Sequence, residues 1–138
     1  MHHTHHLNRP DGTRIAYSIA GAPQGKPLIL SNSLATDARM WEQVLPQLKT
    51  QFKVITYDTR GHGMSVCATR QATLSDLAAD LLAVLDANQV QRALMAGVSL
   101  GGMTGMTLAL QHPERLLGLM ACNCRARIDA QGIAGWDQ

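Results

Sequence analysis

The pattern of hydrophobic and polar positions changes several times along the chain, and its first clear signal is a hairpin. Between residues 13 and 19, apolar and polar side chains alternate, as expected for a strand with one buried face. The preceding Asp11-Gly12 pair is a favoured hairpin turn. The pattern therefore predicts a β-hairpin over residues 7–20.

Four later segments are short, continuous apolar runs rather than alternating ones. Such a run is typical of a strand that is buried on both faces, as in a parallel sheet covered by helices. Because turn-forming or polar residues bound each run, we expect four parallel strands. The runs are Pro27–Asn32, Phe52–Tyr57, Arg92–Ala96 and Leu116–Cys122.

Helical periodicity separates these strands along the chain. The predicted helices lie near Ala38–Leu48, from Thr73 to about Asn88, and over Met103–Gln111. Strands that alternate with helices predict an α/β fold with a mostly parallel sheet, whose ligands bind at the carboxyl ends of the strands. The expected order across the sheet is the hairpin, Phe52–Tyr57, Pro27–Asn32, Arg92–Ala96 and Leu116–Cys122.

The composition is that of one globular domain. The 138 residues are 46% hydrophobic and carry a net charge of +2, with acidic and basic residues interspersed, so we expect no nucleic-acid partner. No apolar run reaches the roughly 20 residues that cross a bilayer, and residues 1–6 lack the apolar core of a signal peptide. We therefore expect a cytoplasmic protein with a flexible His-rich tail over 1–6, a single domain over 7–138 and no membrane partner.

The cysteines do not indicate a metal centre. Cys67, Cys122 and Cys124 are three in number and lack metal-site spacing, so free thiols in a reducing compartment are the simpler interpretation. The histidines of the tail would bind Ni²⁺ or Cu²⁺ only adventitiously. We predict no metal and no cofactor.

The most informative motif is Gly97-Val98-Ser99-Leu100-Gly101, which follows a predicted strand and precedes a predicted helix. A serine between two glycines at such a turn is typical of a nucleophile elbow, which exposes the hydroxyl. The glycines let backbone pack against backbone, and the helix N-terminus favours negative charge beside Ser99. We predict that Ser99 is a nucleophile held in a sparsely populated backbone conformation. The alternative is a Gly-rich turn without chemistry.

From residue 7 onward the chain resembles the first half of an α/β-hydrolase, and within that superfamily it is most similar to the 3-oxoadipate enol-lactone hydrolases of aromatic-compound breakdown. In that subfamily Asn-Ser replaces the His-Gly pair found in most of the superfamily. The stretches that carry the resemblance are Leu30–Leu34, Asp37, Met40-Trp41, Tyr57–Ser65 and Cys122-Asn123.

The resemblance implies a mechanism for hydrolysis of a carboxylic ester or lactone. Ser99 would attack the carbonyl carbon and form an acyl-enzyme that water then cleaves. The backbone N–H groups of Leu34 and Leu100 would form the oxyanion hole. Asn32 and Ser33 would shape the loop that aims the Leu34 N–H. The alternative for both is a simple strand-to-loop turn, which explains Ser33 at least as well.

The chain carries a nucleophile without an obvious general base. His112 is the one histidine after Ser99 in the sequence, and a helix over residues 100–111 would place it about 18 Å away along the helix axis. His62 lies on the appropriate edge of the sheet and is a weak candidate for a replacement base, because its loop is structural in the family. Asp58 is expected to accept turn hydrogen bonds, and Asp129 to be a solvated loop residue.

The resemblance also implies a chain about twice this length, in which the acid and the histidine come later. One hypothesis is therefore a serine hydrolase that this chain represents in part. The other is a catalytically incomplete module that needs a partner chain or is inactive. In both, the Leu116–Cys122 strand would leave an apolar sheet edge open to self-association or to the missing half. A dinucleotide-binding function is excluded because the Gly-rich motif is not G-x-G-x-x-G.

Overall fold

The computed structural model describes residues 3–127, and within them one mixed sheet is flanked by helices on both faces. The strands are β1 Thr4–Asn8, β2 Arg14–Gly21, β3 Lys26–Ser31, β4 Phe52–Tyr57, β5 Ala93–Val98 and β6 Leu116–Cys122. The α-helices are α1 Leu45–Leu48, α2 Leu74–Ala87 and α3 Leu100–Gln111, and 3₁₀ turns span Ala38–Trp41 and Pro113–Arg115.

The order of strands across the sheet is β1-β2-β4-β3-β5-β6, which confirms the predicted order. β1 and β2 form the antiparallel hairpin, and β2 pairs antiparallel with β4. The pairs β4–β3, β3–β5 and β5–β6 are parallel. The carboxyl ends of β3, β4, β5 and β6 therefore meet along one edge of the sheet, where ligands bind in open α/β folds.

The prediction of a tail over residues 1–6 is wrong from Thr4 onward, because β1 begins there. Thr4 pairs with Ser18 and His5 with Tyr17, so these polar residues lie in the sheet ladder. The His5 ring stacks on the Tyr17 ring with 5.2 Å between the centroids. An edge strand is held by backbone pairing and a few cross-strand contacts, so it does not need apolar side chains. A polar edge strand such as β1 therefore shows no hydrophobic periodicity in the sequence.

The single helix predicted near Ala38–Leu48 is also wrong, because two short elements occupy this region. A 3₁₀ turn covers Ala38–Trp41 and α1 covers Leu45–Leu48. Pro46 explains the interruption: it lies in the first turn of α1 and cannot sit inside a longer helix, where its ring would clash with the preceding turn.

The two faces of the sheet are covered unequally. On one face, α2 and α3 pack against the larger core, whose fully buried members include Ile29, Ile55, Leu81, Leu85 and Leu108. The other face carries a smaller core of Leu28, Leu30 and Val54, covered by the 3₁₀ turn and α1. Residues 32–41, which include the 3₁₀ turn, thus lie over the carboxyl end of β3.

The start of α2 matches the predicted capping box. The Thr73 hydroxyl accepts a hydrogen bond from the Asp76 N–H at 3.2 Å, and the Asp76 carboxylate accepts one from the Thr73 N–H at 2.8 Å. This reciprocal pair satisfies two backbone donors that a helix start otherwise leaves free.

Within the described residues, β6 pairs on one side only, with β5. Leu117 and Met120 of this strand are 43% and 63% exposed. The predicted apolar edge is therefore present. No helix in the described part of the chain has the length and apolar character needed to cross a membrane.

Candidate active site

Ser99 occupies the turn between β5 and α3 with φ 52° and ψ −113°. A positive φ is uncommon for a residue with a Cβ and marks local strain that the surroundings must maintain. Two hydrogen bonds hold the residue: its N–H donates to the Cys122 carbonyl at 2.8 Å, and its carbonyl accepts from the Met103 N–H at 3.0 Å. The predicted elbow geometry is confirmed.

Two glycines allow the close packing of this turn. A Cβ on Gly97 would overlap the carbonyl group of Gly101, and a Cβ on Gly101 would overlap the carbonyl group of Ser31. The first turn of α3 therefore lies directly against the end of β3. This contact brings the loop that follows Ser31 next to Ser99.

Leu34 and Leu100 are placed on the two sides of that contact. Leu100 opens α3, whose first N–H groups have no acceptor within the helix. Leu34 lies in the exposed loop after β3, and within residues 3–127 its N–H donates no hydrogen bond. The next residue, Ala35, has φ 60°, so the loop turns sharply there. Both N–H groups are free to serve as oxyanion donors.

Asn32 is fully buried and braces the start of this loop. Its side-chain N–H donates to the Tyr57 carbonyl at 2.8 Å, and its side-chain oxygen accepts from the Trp41 indole N–H at 2.7 Å. The neighbouring Ser31 and Tyr57 hydroxyls share a hydrogen bond of 2.7 Å, and burial raises the pKa of Tyr57. Asn32 thus ties the end of β3 to β4 and to Trp41, while Ser33 lies in the loop itself.

The loop after β4 is held by Asp58, as predicted for a turn acceptor. The Asp58 carboxylate is buried and accepts from the Ala38 and Met64 N–H groups, both at 2.8 Å. One carboxylate therefore joins the loop after β4 to the 3₁₀ turn that follows β3. With both oxygens engaged in turn hydrogen bonds, Asp58 is not an acid positioned on Ser99.

His62 belongs to the same loop and does not contact Ser99. Its Nδ1 lies 3.1 Å from the Arg60 carbonyl oxygen, a local contact within the loop. β3 separates β4 from β5, so the ends of these two strands are roughly 10 Å apart at the usual strand spacing. The structure thus gives no hydrogen bond between His62 and Ser99.

Arg60, in the middle of this loop, forms a buried ion pair with Asp80 of α2. Its Nε and Nη2 donate to the two Asp80 oxygens at 2.6 and 2.8 Å, and its Nη1 donates to Asp11 at 3.0 Å. Arg9 donates to Asp80 as well, at 3.0 Å. The hydrogen bonds to Asp80 raise the pKa of Arg60, so the guanidinium is permanently charged.

His112 ends α3 and lies at the opposite end of that helix from Ser99. Its Nδ1 is 3.3 Å from a carboxylate oxygen of Glu114. Within residues 3–127, no side chain hydrogen bonds to the Ser99 hydroxyl, and no three His, Cys, Asp or Glu residues are arranged to hold a metal ion. Asp129 lies outside the described residues.

A cavity of about 510 Å³ lies over β2 and β4, away from the elbow. Asp37, Thr56, Tyr57 and Asp58 are among its lining residues, and Ser99 is not. The Asp37 carboxylate accepts from Arg39, which lowers the pKa of Asp37 to about 2. Because Ser99 is not among its lining residues, this cavity does not define the site; the strained serine does.

Two contacts of the site were not predicted from the sequence. Trp41 was noted there only as part of the resemblance, yet its indole N–H is the donor that fixes Asn32. Met40 was noted in the same way, and its sulfur is the acceptor of the Ser33 N–H at 3.4 Å. Neither contact has a periodic or motif signal, because both depend on how the 3₁₀ turn folds back over the end of β3.

Residues 26–130 match the alpha/beta hydrolase fold family. The chain is 34% identical to 3-oxoadipate enol-lactonase 1 of Acinetobacter baylyi, over 98% of this chain and 50% of that protein. It is 37% identical to RutD of Yersinia enterocolitica, whose name assigns it to carbamate hydrolysis, over 83% of this chain and 42% of that one.

A solved enol-lactonase from Burkholderia xenovorans LB400 superposes with a TM-score of 0.86 at 33% identity, covering 96% of this chain and 56% of that one. The chain thus spans about half the length of the curated relatives it matches. The strained serine turn, the order of the sheet and these matches agree with one another. The chain belongs to the alpha/beta hydrolase fold family.

Proposed function

We propose that this chain provides the nucleophile and the oxyanion hole of a serine hydrolase that cleaves a carboxylic ester or lactone. The observation that carries the proposal is the backbone of Ser99, at φ 52° and ψ −113° between β5 and α3. Strained backbone of this kind clusters at functional sites, and here it presents a hydroxyl at the edge of the sheet where ligands bind.

In the proposed reaction, the Ser99 oxygen attacks the carbonyl carbon while its proton passes to a general base. The negative charge on the carbonyl oxygen is stabilised by the Leu34 and Leu100 N–H groups. Collapse of the tetrahedral intermediate breaks the ester C–O bond and leaves an acyl group on Ser99. Water then cleaves the acyl-enzyme and restores the serine.

For the substrate, we propose 3-oxoadipate enol-lactone. Two observations support this choice: the Asn32-Ser33 pair after β3, and the similarity to enol-lactonases at 33–34% identity. The relative named for carbamate hydrolysis makes a carbamate carbonyl the alternative electrophile. The two differ in the bond broken, C–O in the lactone and C–N or C–O in the carbamate.

The alternative function is a module without activity of its own, which needs a partner chain. It is favoured by the absence, within residues 3–127, of a histidine or carboxylate hydrogen-bonded to the Ser99 hydroxyl. A serine hydroxyl without a base is a poor nucleophile at neutral pH. The oxyanion hole alone can still leave about 10³–10⁴-fold catalysis over water.

Labelling with a fluorophosphonate probe separates the two functions. The 138-residue chain is incubated with the probe alone and with a polypeptide that corresponds to the second half of the Acinetobacter relative. We expect slow labelling of the chain alone, faster labelling by orders of magnitude in the mixture, and none for Ser99→Ala. Rapid labelling of the chain alone that Ser99→Ala abolishes would mean that the chain contains its own base, and His62 would be the first residue to replace.

The substrate is tested on the mixture that labels fastest. Hydrolysis of an enol-lactone is measured by loss of its ultraviolet absorbance, and hydrolysis of a carbamate by release of ammonia. Preference for the carbamate would overturn the choice of an enol-lactone and leave the role of Ser99 intact.

A further inference from the structure

The loop between β3 and the 3₁₀ turn is contacted at two of its residues by the sulfur of Met40. Met40 lies in the 3₁₀ turn, and its Sδ is 3.4 Å from the Ser33 nitrogen and 3.3 Å from the Thr36 hydroxyl oxygen. Both distances are within the range of hydrogen bonds to sulfur. The sulfur therefore contacts the residues on either side of Leu34 and Ala35, although Met40 itself is 37% exposed.

The number of protons available decides which of the two groups donates to the sulfur. The Thr36 hydroxyl has one proton, and the Ser33 carbonyl oxygen, at 2.7 Å, is the better acceptor for it. The Ser33 N–H has no other acceptor among the described residues. The Met40 sulfur is therefore the partner of the Ser33 N–H.

The Met40–Ser33 contact lies between two places where hydrogen bonds anchor the loop. At one end, Asn32 is tied to Tyr57 and Trp41, and at the other the Asp37 carboxylate accepts from the Arg39 N–H at 3.0 Å. Between them, the Met40 sulfur is the side-chain acceptor that reaches the backbone. A buried amide on Asn32 therefore fixes where the loop starts, and a thioether fixes how it turns.

We propose that Met40 is a positioning residue, whose sulfur orients Ser33 so that the following N–H, that of Leu34, points toward Ser99. The proposal rests on the proposed function, because it gives the Leu34 N–H a role in stabilising the oxyanion. The thioether is a weak acceptor, so the loop keeps a defined shape without a rigid tie. Leu34 is one residue from the held amide, and rotation of the Ser33–Leu34 peptide unit would redirect its N–H.

Three variants of the full chain separate hydrogen bonding from packing. Met40→Leu keeps the bulk and removes the acceptor, whereas Met40→Gln supplies an amide oxygen at similar reach. Met64→Leu is the control, because Met64 is 59% exposed and its sulfur accepts no hydrogen bond within residues 3–127. Amide hydrogen exchange and ¹H–¹⁵N chemical shifts report directly on Ser33 and Leu34.

In Met40→Leu we expect the Ser33 N–H to exchange about two- to tenfold faster, because that is the effect of losing one modest hydrogen bond. The Leu34 resonance should shift as well. Met40→Gln should restore slow exchange, and Met64→Leu should change neither signal. Slow exchange retained in Met40→Leu but lost in Met40→Gln would show that Met40 only packs, and would overturn the proposal.

Labelling of Ser99 by the fluorophosphonate probe tests whether the conformation of the loop affects the reaction. It is measured in the mixture with the second half of the Acinetobacter relative. We expect slower labelling for Met40→Leu and recovery for Met40→Gln, with unchanged thermal unfolding in both. If the Ser33 and Leu34 signals change while labelling does not, Met40 holds the loop but not for catalysis, and the positioning role is overturned. Failure of every variant and of the wild-type chain to label refutes the proposed function instead.

Discussion

At the scale of single residues, the site depends on positions where no larger side chain fits. Ser99 keeps a positive φ only because Gly97, Gly101 and the carboxyl end of β3 lie against one another. Strain of this kind costs of order 1–3 kcal/mol and persists where the surroundings fix it. Substitutions that separate these segments should therefore affect stability and Ser99 together.

The sharpest test is Gly101→Ala, because its Cβ would overlap the Ser31 carbonyl. Backbone cannot yield as a flexible side chain can, so we expect a loss of about 2–4 kcal/mol in the free energy of unfolding, measured by urea denaturation. Gly118→Ala is the matched control: its Cβ would meet Leu94 Cδ2 at 3.3 Å, a side-chain atom that can move. Equal losses in the two variants would contradict the close approach at the elbow.

At the scale of elements, one carboxylate joins three parts of the chain. Asp80 of α2 pairs with Arg60 in the loop after β4 and with Arg9 in the hairpin turn. Both partners of the Arg60–Asp80 pair are buried, with side chains 5% and 2% exposed. A buried charge that loses its partner is costly, so this network fixes the loop after β4 more firmly than surface pairs would.

For Asp80→Asn we expect about 3–5 kcal/mol of destabilisation, because Arg9 and Arg60 lose the Asp80 carboxylate and the buried Arg60 keeps only the partly exposed Asp11. The control is Asp86→Asn on the same helix, where the carboxylate is 62% exposed and pairs with Arg115 at the surface. There we expect at most about 1 kcal/mol. Chemical denaturation of both variants measures the difference, and a similar small loss in each would show that the buried pair is no stronger than the surface one.

The capping box of α2 gives a pH dependence. The Thr73 backbone N–H and hydroxyl lower the pKa of Asp76 from its ordinary value. A group whose pKa is lower in the folded state stabilises the fold above its unfolded pKa, near 4, and loses that contribution as the pH falls through the folded pKa. Asp76→Asn should therefore reduce stability at pH 7 and have little effect at pH 2, as measured by thermal unfolding across that range. An equal effect at both pH values would rule out the charged cap.

The sequence predicted elements with repeated signals better than elements held by single contacts. β6 followed from its apolar run, and the turn at Ser99 from two glycines. β1 was missed at Thr4 because an edge strand of histidines has no apolar period, and one proline divided the expected helix before β4. The Met40–Ser33 contact has no signal in sequence, because it exists only once the 3₁₀ turn has folded over β3.

At the scale of the whole molecule, the sheet over residues 3–127 ends in an apolar strand, β6, that pairs on one side only. β6 presents free backbone groups together with Leu117 and Met120, and such edges recruit other strands. We propose that this edge is the surface through which the chain self-associates or binds a polypeptide that corresponds to the second half of its relatives.

We expect association that rises with concentration in sedimentation velocity. A double substitution, Leu117→Lys with Met120→Lys, should return the chain to the monomer, because charges on an edge strand oppose pairing. Met64→Lys is the control, since Met64 is 59% exposed in the loop after β4, and β3 and β5 lie between that strand and β6. A stable monomer of the unmodified chain at high concentration would contradict the proposal, as would equal effects of the edge and control substitutions.

The order of the strands also governs how fast the protein can fold. β3, the central strand, pairs Leu28 with Val54 on one side and with Leu94 on the other. Each pairing must first close a long stretch of chain, and folds dominated by such non-local contacts fold in milliseconds to seconds rather than microseconds. Because β5 joins a partner more than sixty residues away, we expect the strand that leads into Ser99 to dock late, after the hairpin has paired with β4 and β4 with β3.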